Sequence, residues 1–148
     1  MRIYFAGPLF TPAERGFIDE CAVQLRAAGY DVFVPHEHEL ALNDTVTAER
    51  IFAKDYEALS TANAVLAILD GPTIDDGTAC EIGIFYGLMQ DDPSKVGIVG
   101  MTHDIRYQRD SAREENRGPL TTTSVPASTT LSPAARAAVT ATSRPRGQ

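Results

Sequence analysis

The densest chemistry in this sequence lies in one short stretch, Asp70-Gly71-Pro72-Thr73-Ile74-Asp75-Asp76-Gly77-Thr78-Ala79-Cys80-Glu81, which puts three Asp and one Glu within twelve residues. Carboxylates that share a cleft can divide the roles of acid and nucleophile between them, the arrangement that cleavage of a glycosidic bond needs. Asp75 stands six residues before Glu81, so a loop running into a helix could turn both toward one cleft. Glu81 precedes Ile82, Phe85 and Met89, which puts it at the edge of an apolar helical face and not on the solvated side. A plainer reading is open beside this one. Thr78-x-x-Glu81 has capping-box spacing, and Asp75 or Asp76 can serve as turn or cap residues. His36, His38 and His103 offer no third ligand at metal-site spacing. Neither a P-loop nor a G-x-G-x-x-G occurs, so no nucleotide cofactor is implied.

Something must hold these carboxylates at one end of a scaffold, and the sequence supplies alternating strands and helices. Met1–Ala6 (MRIYFA) is a short apolar run ended by Gly7-Pro8, a buried first strand. Thr11-Pro12-Ala13-Glu14 starts a helix, with Thr as N-cap, Pro at the first helical position and Glu three residues after the Thr. That helix carries Phe17, Cys21, Leu25 and Ala28 on one face and stops at Gly29. Tyr30–Pro35 reads as a second strand, and Thr47–Ser60 as a helix with Ile51, Phe52, Tyr56 and Leu59 at helical spacing. Ala64–Leu69 (AVLAIL) has the near-continuous apolar character of a central parallel strand covered on both faces. Gly77–Met89 is a third helix, in which Gly83 and Gly87 are spaced to let it lie close against the sheet, and Lys95–Gly100 is a fourth strand. The expected architecture is a three-layer α/β sandwich of flavodoxin or Rossmann type, with a mostly parallel sheet of four to five strands. Ligands of such sheets bind beyond the carboxyl ends of the strands. That rule selects the loops at Gly7–Phe10, Pro35–His38, Asp70–Asp76 and Met101–Arg106, with Arg2, Lys54 and Lys95 as the cations expected near strand ends.

With 148 residues, 43% of them hydrophobic, the chain suits one soluble domain with a real core. All 20 acidic residues fall before residue 117, against nine of the 13 basic ones, and the last 32 residues hold the other four and no acid. An acidic body repels phosphate backbones, which argues against nucleic-acid binding through a basic surface. No apolar run approaches the roughly 20 residues of a membrane helix, and the opening residues do not read as a signal peptide. Cys21 and Cys80 both sit in helical patterns and read as buried free thiols of a reducing cytoplasm. Residues 117–148 are rich in Thr, Ser, Ala and Pro and hold no aromatic. They cannot bury enough apolar surface to offset their ordering entropy. The expected organisation is a folded domain at 1–116 and a disordered tail at 117–148, and deletion after Leu120 should change neither melting temperature nor activity.

Three segments together carry a resemblance: Ile3-Tyr4-Phe5-Ala6-Gly7-Pro8-Leu9-Phe10, Ala64-Val65-Leu66-Ala67-Ile68-Leu69-Asp70-Gly71 and Asp75-Asp76-Gly77-Thr78-Ala79-Cys80-Glu81-Ile82-Gly83. In this order, over roughly residues 1–120, the chain resembles the nucleoside 2-deoxyribosyltransferase family, and D-x-G-T-A-x-E-x-G is the specific part. The resemblance implies an α/β enzyme that transfers 2-deoxyribose between bases, with nucleosides and nucleobases as small-molecule partners and no cofactor. Related members hydrolyse the N-glycosidic bond of nucleoside 5′-monophosphates, which is the second reading. By position, Glu81 resembles the nucleophile that forms a covalent glycosyl intermediate, and Asp75 the acid that manages the proton of the base. Asp55 resembles a further carboxylate near the sugar, and Tyr4 the tyrosine whose hydroxyl orients the nucleophile. Gly7 and Phe10 fall at the substrate site, with Phe10 able to stack on a base. Without the resemblance, Tyr4 is plain core, Asp55 is half of a surface pair with Lys54 or Arg50, and Phe10 is an apolar residue in a buried turn. The family also implies a homo-oligomer, in which an Asn after a Pro-Leu pair reaches a neighbour's site. Here Pro119-Leu120 is followed by Thr121, which keeps a third reading open, a nucleoside-binding scaffold without activity.

Overall fold

A computed structural model describes residues 1–38, residues 47–103 and the backbone of 120–124. In chain order the elements are β1 (Arg2–Ala6), α1 (Pro12–Ala27), β2 (Asp31–Phe33), a 3₁₀ turn (Pro35–His38), α2 (Ala48–Thr61), β3 (Ala64–Ile68), α3 (Asp76–Asp91), β4 (Gly97–Thr102) and β5 (Leu120–Ser124). The five strands form one parallel sheet in the order β2-β1-β3-β4-β5. The expected three-layer architecture is the observed one.

Local chemistry explains the elements. Every residue of β3 and of β4 is buried, as strands covered on both faces require. The start of α1 is a capping box: Glu14 N–H donates to Thr11 Oγ1 at 3.2 Å, while Glu14 Oε2 accepts from the N–H groups of Thr11 at 2.8 Å and Phe10 at 3.0 Å. Alternation along β1 sends Ile3 and Phe5 to one face and Tyr4 and Ala6 to the other. On the first face they pack with Ile18, Ala22 and Leu25 of α1. On the second, Tyr4 and Ala6 meet Ala58 and Leu59 of α2 and Phe85 of α3. Tyr4 therefore faces the two helices that carry the acidic candidates.

Several expectations change. Arg2 and Lys95 lie at the amino ends of the strands, away from the ligand end: Arg2 opens β1 and pairs with Asp31 at 3.7 Å. Lys95 Nζ donates to the carbonyls of Ser60 at 2.5 Å and Ala62 at 2.8 Å, closing the end of α2. Of the three cations only Lys54 stands at the carboxyl end, donating to Pro35 O at 3.3 Å and His38 O at 3.1 Å. Gly83 and Gly87 are exposed, and a Cβ at either would meet nothing within 4 Å, so they do not serve close packing on the sheet. Their spacing put them on one side of α3, and it is the outer side. Cys21 is buried but Cys80 is exposed. On α2 the sheet takes only Ala58 and Leu59; Ile51, Phe52 and Tyr56, earlier in the helix, stay exposed, with the Phe52 and Tyr56 rings stacked at 5.9 Å.

Leu120–Ser124 pairs in parallel with Ile98–Thr102 of β4. The sheet thus continues past residue 117, where the composition changes, and a cut after Leu120 would remove most of β5. A run of β-branched threonines suits a strand, a local signal that averaging over the last 32 residues hides. Residues 117–119 and 125–148, the remainder of the expected tail, lie outside the described residues. Among the described residues no helix is long and apolar enough to cross a membrane.

Candidate active site

The site is built around one contact between β1 and α3. Tyr4 Oη donates to Glu81 Oε1 at 2.5 Å. The Tyr4 ring is fixed from below, since Phe33 of β2 stacks on it at 5.4 Å and His38 stacks on Phe33 at 4.6 Å. Sequence reasoning missed this aromatic column, because nothing in the spacing of Tyr4, Phe33 and His38 announces that β1 and β2 are neighbours.

Glu81 is half-buried. Burial raises its carboxyl, the Tyr4 hydroxyl pulls it down, and the charges of Asp55 and Asp75 push it up again, to about 7. Among the described residues no cation forms an ion pair with it. Burial and the Glu81 charge also drive the Tyr4 hydroxyl above its usual range, so Tyr4 stays a protonated donor.

Asp75 is the N-cap of α3, with Oδ2 accepting from Thr78 N at 2.8 Å and Thr78 Oγ1 at 3.0 Å. The plain capping reading is thus realised at Asp75 and not at Thr78, which is buried inside the first turn. Glu81 takes no part in the cap. Among the described residues only Oδ2 of Asp75 is engaged, and the charge of the residue is felt at Glu81.

Asp55 stands half-buried on α2, its Oδ1 3.6 Å from Lys54 Nζ and without a hydrogen bond. Burial raises its carboxyl and Lys54 works against that rise. The pair with Lys54 exists, but beside Tyr4 and Glu81 and not on the open surface. Four residues from three elements, Tyr4 of β1, Asp55 of α2, and Asp75 and Glu81 at the cap and in the second turn of α3, therefore meet electrostatically at Glu81. That cluster can deliver a carboxylate nucleophile, a second carboxylate for proton transfer, and negative potential for an oxocarbenium-like sugar.

Gly7 and Phe10 fall outside the cluster. A Cβ on Gly7 would come within 3.0 Å of Ile18 Cδ1 and 3.1 Å of Ile68 Cγ1, which is a packing reason for glycine. Phe10 is 80% exposed, with no buried turn around it, at the carboxyl end of β1. On the α1 side of the strand ends lies a further pocket of about 310 Å³, bounded by Pro8, Glu14, Phe17, Ile68, Asp70 and His103. It holds none of the four clustered residues. Among the described residues no three His, Cys, Asp or Glu converge as a metal site.

The fold has relatives among known proteins. A conserved protein from Enterococcus faecalis V583 shares 27% identity and superposes with a TM-score of 0.63, over 83% of this chain and 81% of the other. A 2-deoxyribosyltransferase from Bacillus psychrosaccharolyticus is 27% identical, with a TM-score of 0.56 over 69% of this chain and 72% of that enzyme. The CMP N-glycosidase BcmB of Clostridium botulinum has the same fold at 15% identity, with a TM-score of 0.57 over 84% and 89% of the two chains. No curated protein matches the chain. The sequence pattern of the nucleoside 2-deoxyribosyltransferases runs over residues 3–119, through every element that carries the cluster, and the chain belongs to the nucleoside 2-deoxyribosyltransferase family.

Proposed function

We propose that the protein transfers 2-deoxyribose between nucleobases through a covalent ester on Glu81. A Glu81 carboxylate oxygen attacks the anomeric carbon as the N-glycosidic bond breaks, and the departing base takes a proton by way of Asp75. An incoming base then attacks the same carbon from the vacated side and returns its proton to Asp75, Glu81 leaves, and the configuration is retained overall. Tyr4 holds the attacking carboxylate at a fixed angle, and Asp55 faces the sugar. The observation that carries this reading is the 2.5 Å Tyr4–Glu81 bond within a group of carboxylates where, among the described residues, no cation pairs with Glu81.

The substrate in this reading is an uncharged nucleoside and not its 5′-phosphate. A phosphate would seek free N–H groups at a helix start. At α1 those of Phe10 and Thr11 already donate to Glu14 Oε2, and Asp75 and Asp76 take those of Thr78 and Gly77 at α3. The exposed Ile51, Phe52 and Tyr56 of α2 are the surface on which we place a second copy of the chain, which light scattering would register as a dimer or larger species. The deciding experiment incubates the protein with deoxyinosine, with and without adenine. Deoxyadenosine formed only when adenine is present is the expected result. Free deoxyribose in both reactions would replace transfer with hydrolysis, and no turnover would leave a binding scaffold.

A further inference from the structure

One group of side chains at the carboxyl end of the sheet takes no part in the chemistry above. Asp70 is the second residue beyond β3, and its carboxylate reaches across to the end of β4. Oδ1 accepts from Thr102 Oγ1 at 2.8 Å and from His103 N–H at 2.6 Å, and Oδ2 meets His103 Nδ1. Burial works to raise the Asp70 carboxyl, and the bonds from His103 and Thr102 outweigh it and hold the group below its usual range. An ionised carboxylate can only accept, so His103 Nδ1 carries the proton and donates it. Beneath the clasp the two strands are joined once more, Leu69 N–H to Met101 O at 2.8 Å. The His103 ring stands edge to face with Phe17 of α1 at 4.6 Å, which ties a third element to the same point.

The chain leaves this clasp in a tight reversal. Gly71 has φ +122°, and a Cβ there would lie 2.9 Å from Thr73 O, so only glycine makes the bend without strain. Asp75 follows, already bound to Thr78. The loop is thus tied at both ends with little slack between. As a stabilising pair the clasp is poorly placed, because the side chains of His103 and Asp70 keep 28% and 31% of their exposure and pairs this open add little. What it supplies is position.

We propose that Asp70 and His103 are positioning residues for the glycosyl transfer: their clasp across the ends of β3 and β4 sets the path of the 70–75 loop and hence the place of the Asp75 carboxylate beside Glu81. The proposal rests on the roles given to Glu81 and Asp75 above. Misplacing a proton-transfer group costs turnover more than binding. His103→Leu therefore lowers kcat for deoxyinosine about tenfold with KM changed by less than about twofold. His103→Asn, which returns an N–H near the position of Nδ1, recovers most of that loss.

The test is a double-mutant cycle on deoxyinosine with adenine as acceptor, using wild type, Asp75→Asn, His103→Leu and the double variant, with thermal melts on each. The expected result is that His103→Leu adds less than about twofold to the loss already caused by Asp75→Asn. Should His103→Leu fail to fold, Thr102→Val removes the Oγ1 donor to Asp70 and is read in the same cycle, with a smaller loss that Asp75→Asn again absorbs. Losses that multiply fully overturn the clasp's role, as does a His103→Asn variant no better than His103→Leu. An inactive wild type is a failure of the nucleoside reading itself, whereas an active wild type with independent losses removes the clasp alone.

Discussion

Lys95 and Glu81 are both charged side chains drawn into the protein, one at each end of the sheet, and their surroundings treat them in opposite ways. Lys95, 8% exposed at the amino end, meets Ser60 O, Ala62 O and Asp92 Oδ2, with the Phe85 ring 5.7 Å from its nitrogen. Its positive charge also sits where the last carbonyls of α2 concentrate negative potential. Glu81, at the carboxyl end, meets the Tyr4 hydroxyl, and the charges that act on it among the described residues are two more carboxylates. The first environment satisfies its charge and the second resists it. Stability is gathered at the amino end of this sheet, and the carboxyl end gives some up to hold a reactive carboxylate in place.

Four substitutions break or sharpen that contrast. The largest effect belongs to Glu81→Ala, which should lower turnover by about three orders of magnitude or more while circular dichroism stays unchanged, since Glu81 is no part of the α3 cap. Near-normal turnover, or an unfolded variant, would remove Glu81 from the chemistry. Lys95→Met should do the reverse. It leaves the Ser60 and Ala62 carbonyls unmet and lowers unfolding free energy by about 3 kcal/mol in urea titrations, with turnover per folded molecule intact.

Glu81→Gln tests the cost at the carboxyl end. Because the folded protein holds the Glu81 proton up to about 7 against an ordinary 4.5, both states are protonated at low pH and the residue then costs nothing. As pH rises the unfolded chain releases that proton first, so wild-type stability falls through this window by up to about 3 kcal/mol. Glu81→Gln should therefore be more stable than wild type at about pH 8 and nearly equal to it at about pH 4. A gap that does not widen with pH would mean Glu81 is ionised without penalty. The smallest effect is that of Tyr4→Phe. Loss of the hydroxyl that pulls Glu81 down should move the acid limb of kcat/KM upward by roughly one unit and lower turnover about tenfold.

What the sequence made legible was local. Thr11, Pro12 and Glu14 announce the start of α1 within one turn, and AVLAIL announces β3 because a strand covered on both faces has no polar side. Spacing failed where it had to choose between faces. Gly83 and Gly87 share one side of α3, as do Phe52 and Tyr56 on α2, but only the neighbours of a helix decide which side is inward. Composition overlooked β5, whose five residues are averaged away within the last 32. Contacts across the sheet were beyond periodicity altogether. Tyr4 and Glu81 came together only through resemblance to a family, and Asp70 with His103 through nothing short of the strand register that sets Ile68 beside Met101.

The central claim is that Glu81 becomes covalently bound to sugar. The most direct measurement mixes the protein with deoxyinosine, quenches in acid before the adenine acceptor is added, and maps the digested protein by mass spectrometry. One deoxyribosyl group should be found on the peptide that contains Glu81, should vanish when adenine is supplied before the quench, and should be absent from Glu81→Gln. Active protein with an unmodified Glu81 peptide under the same quench, or the same adduct surviving in Glu81→Gln, would contradict the account.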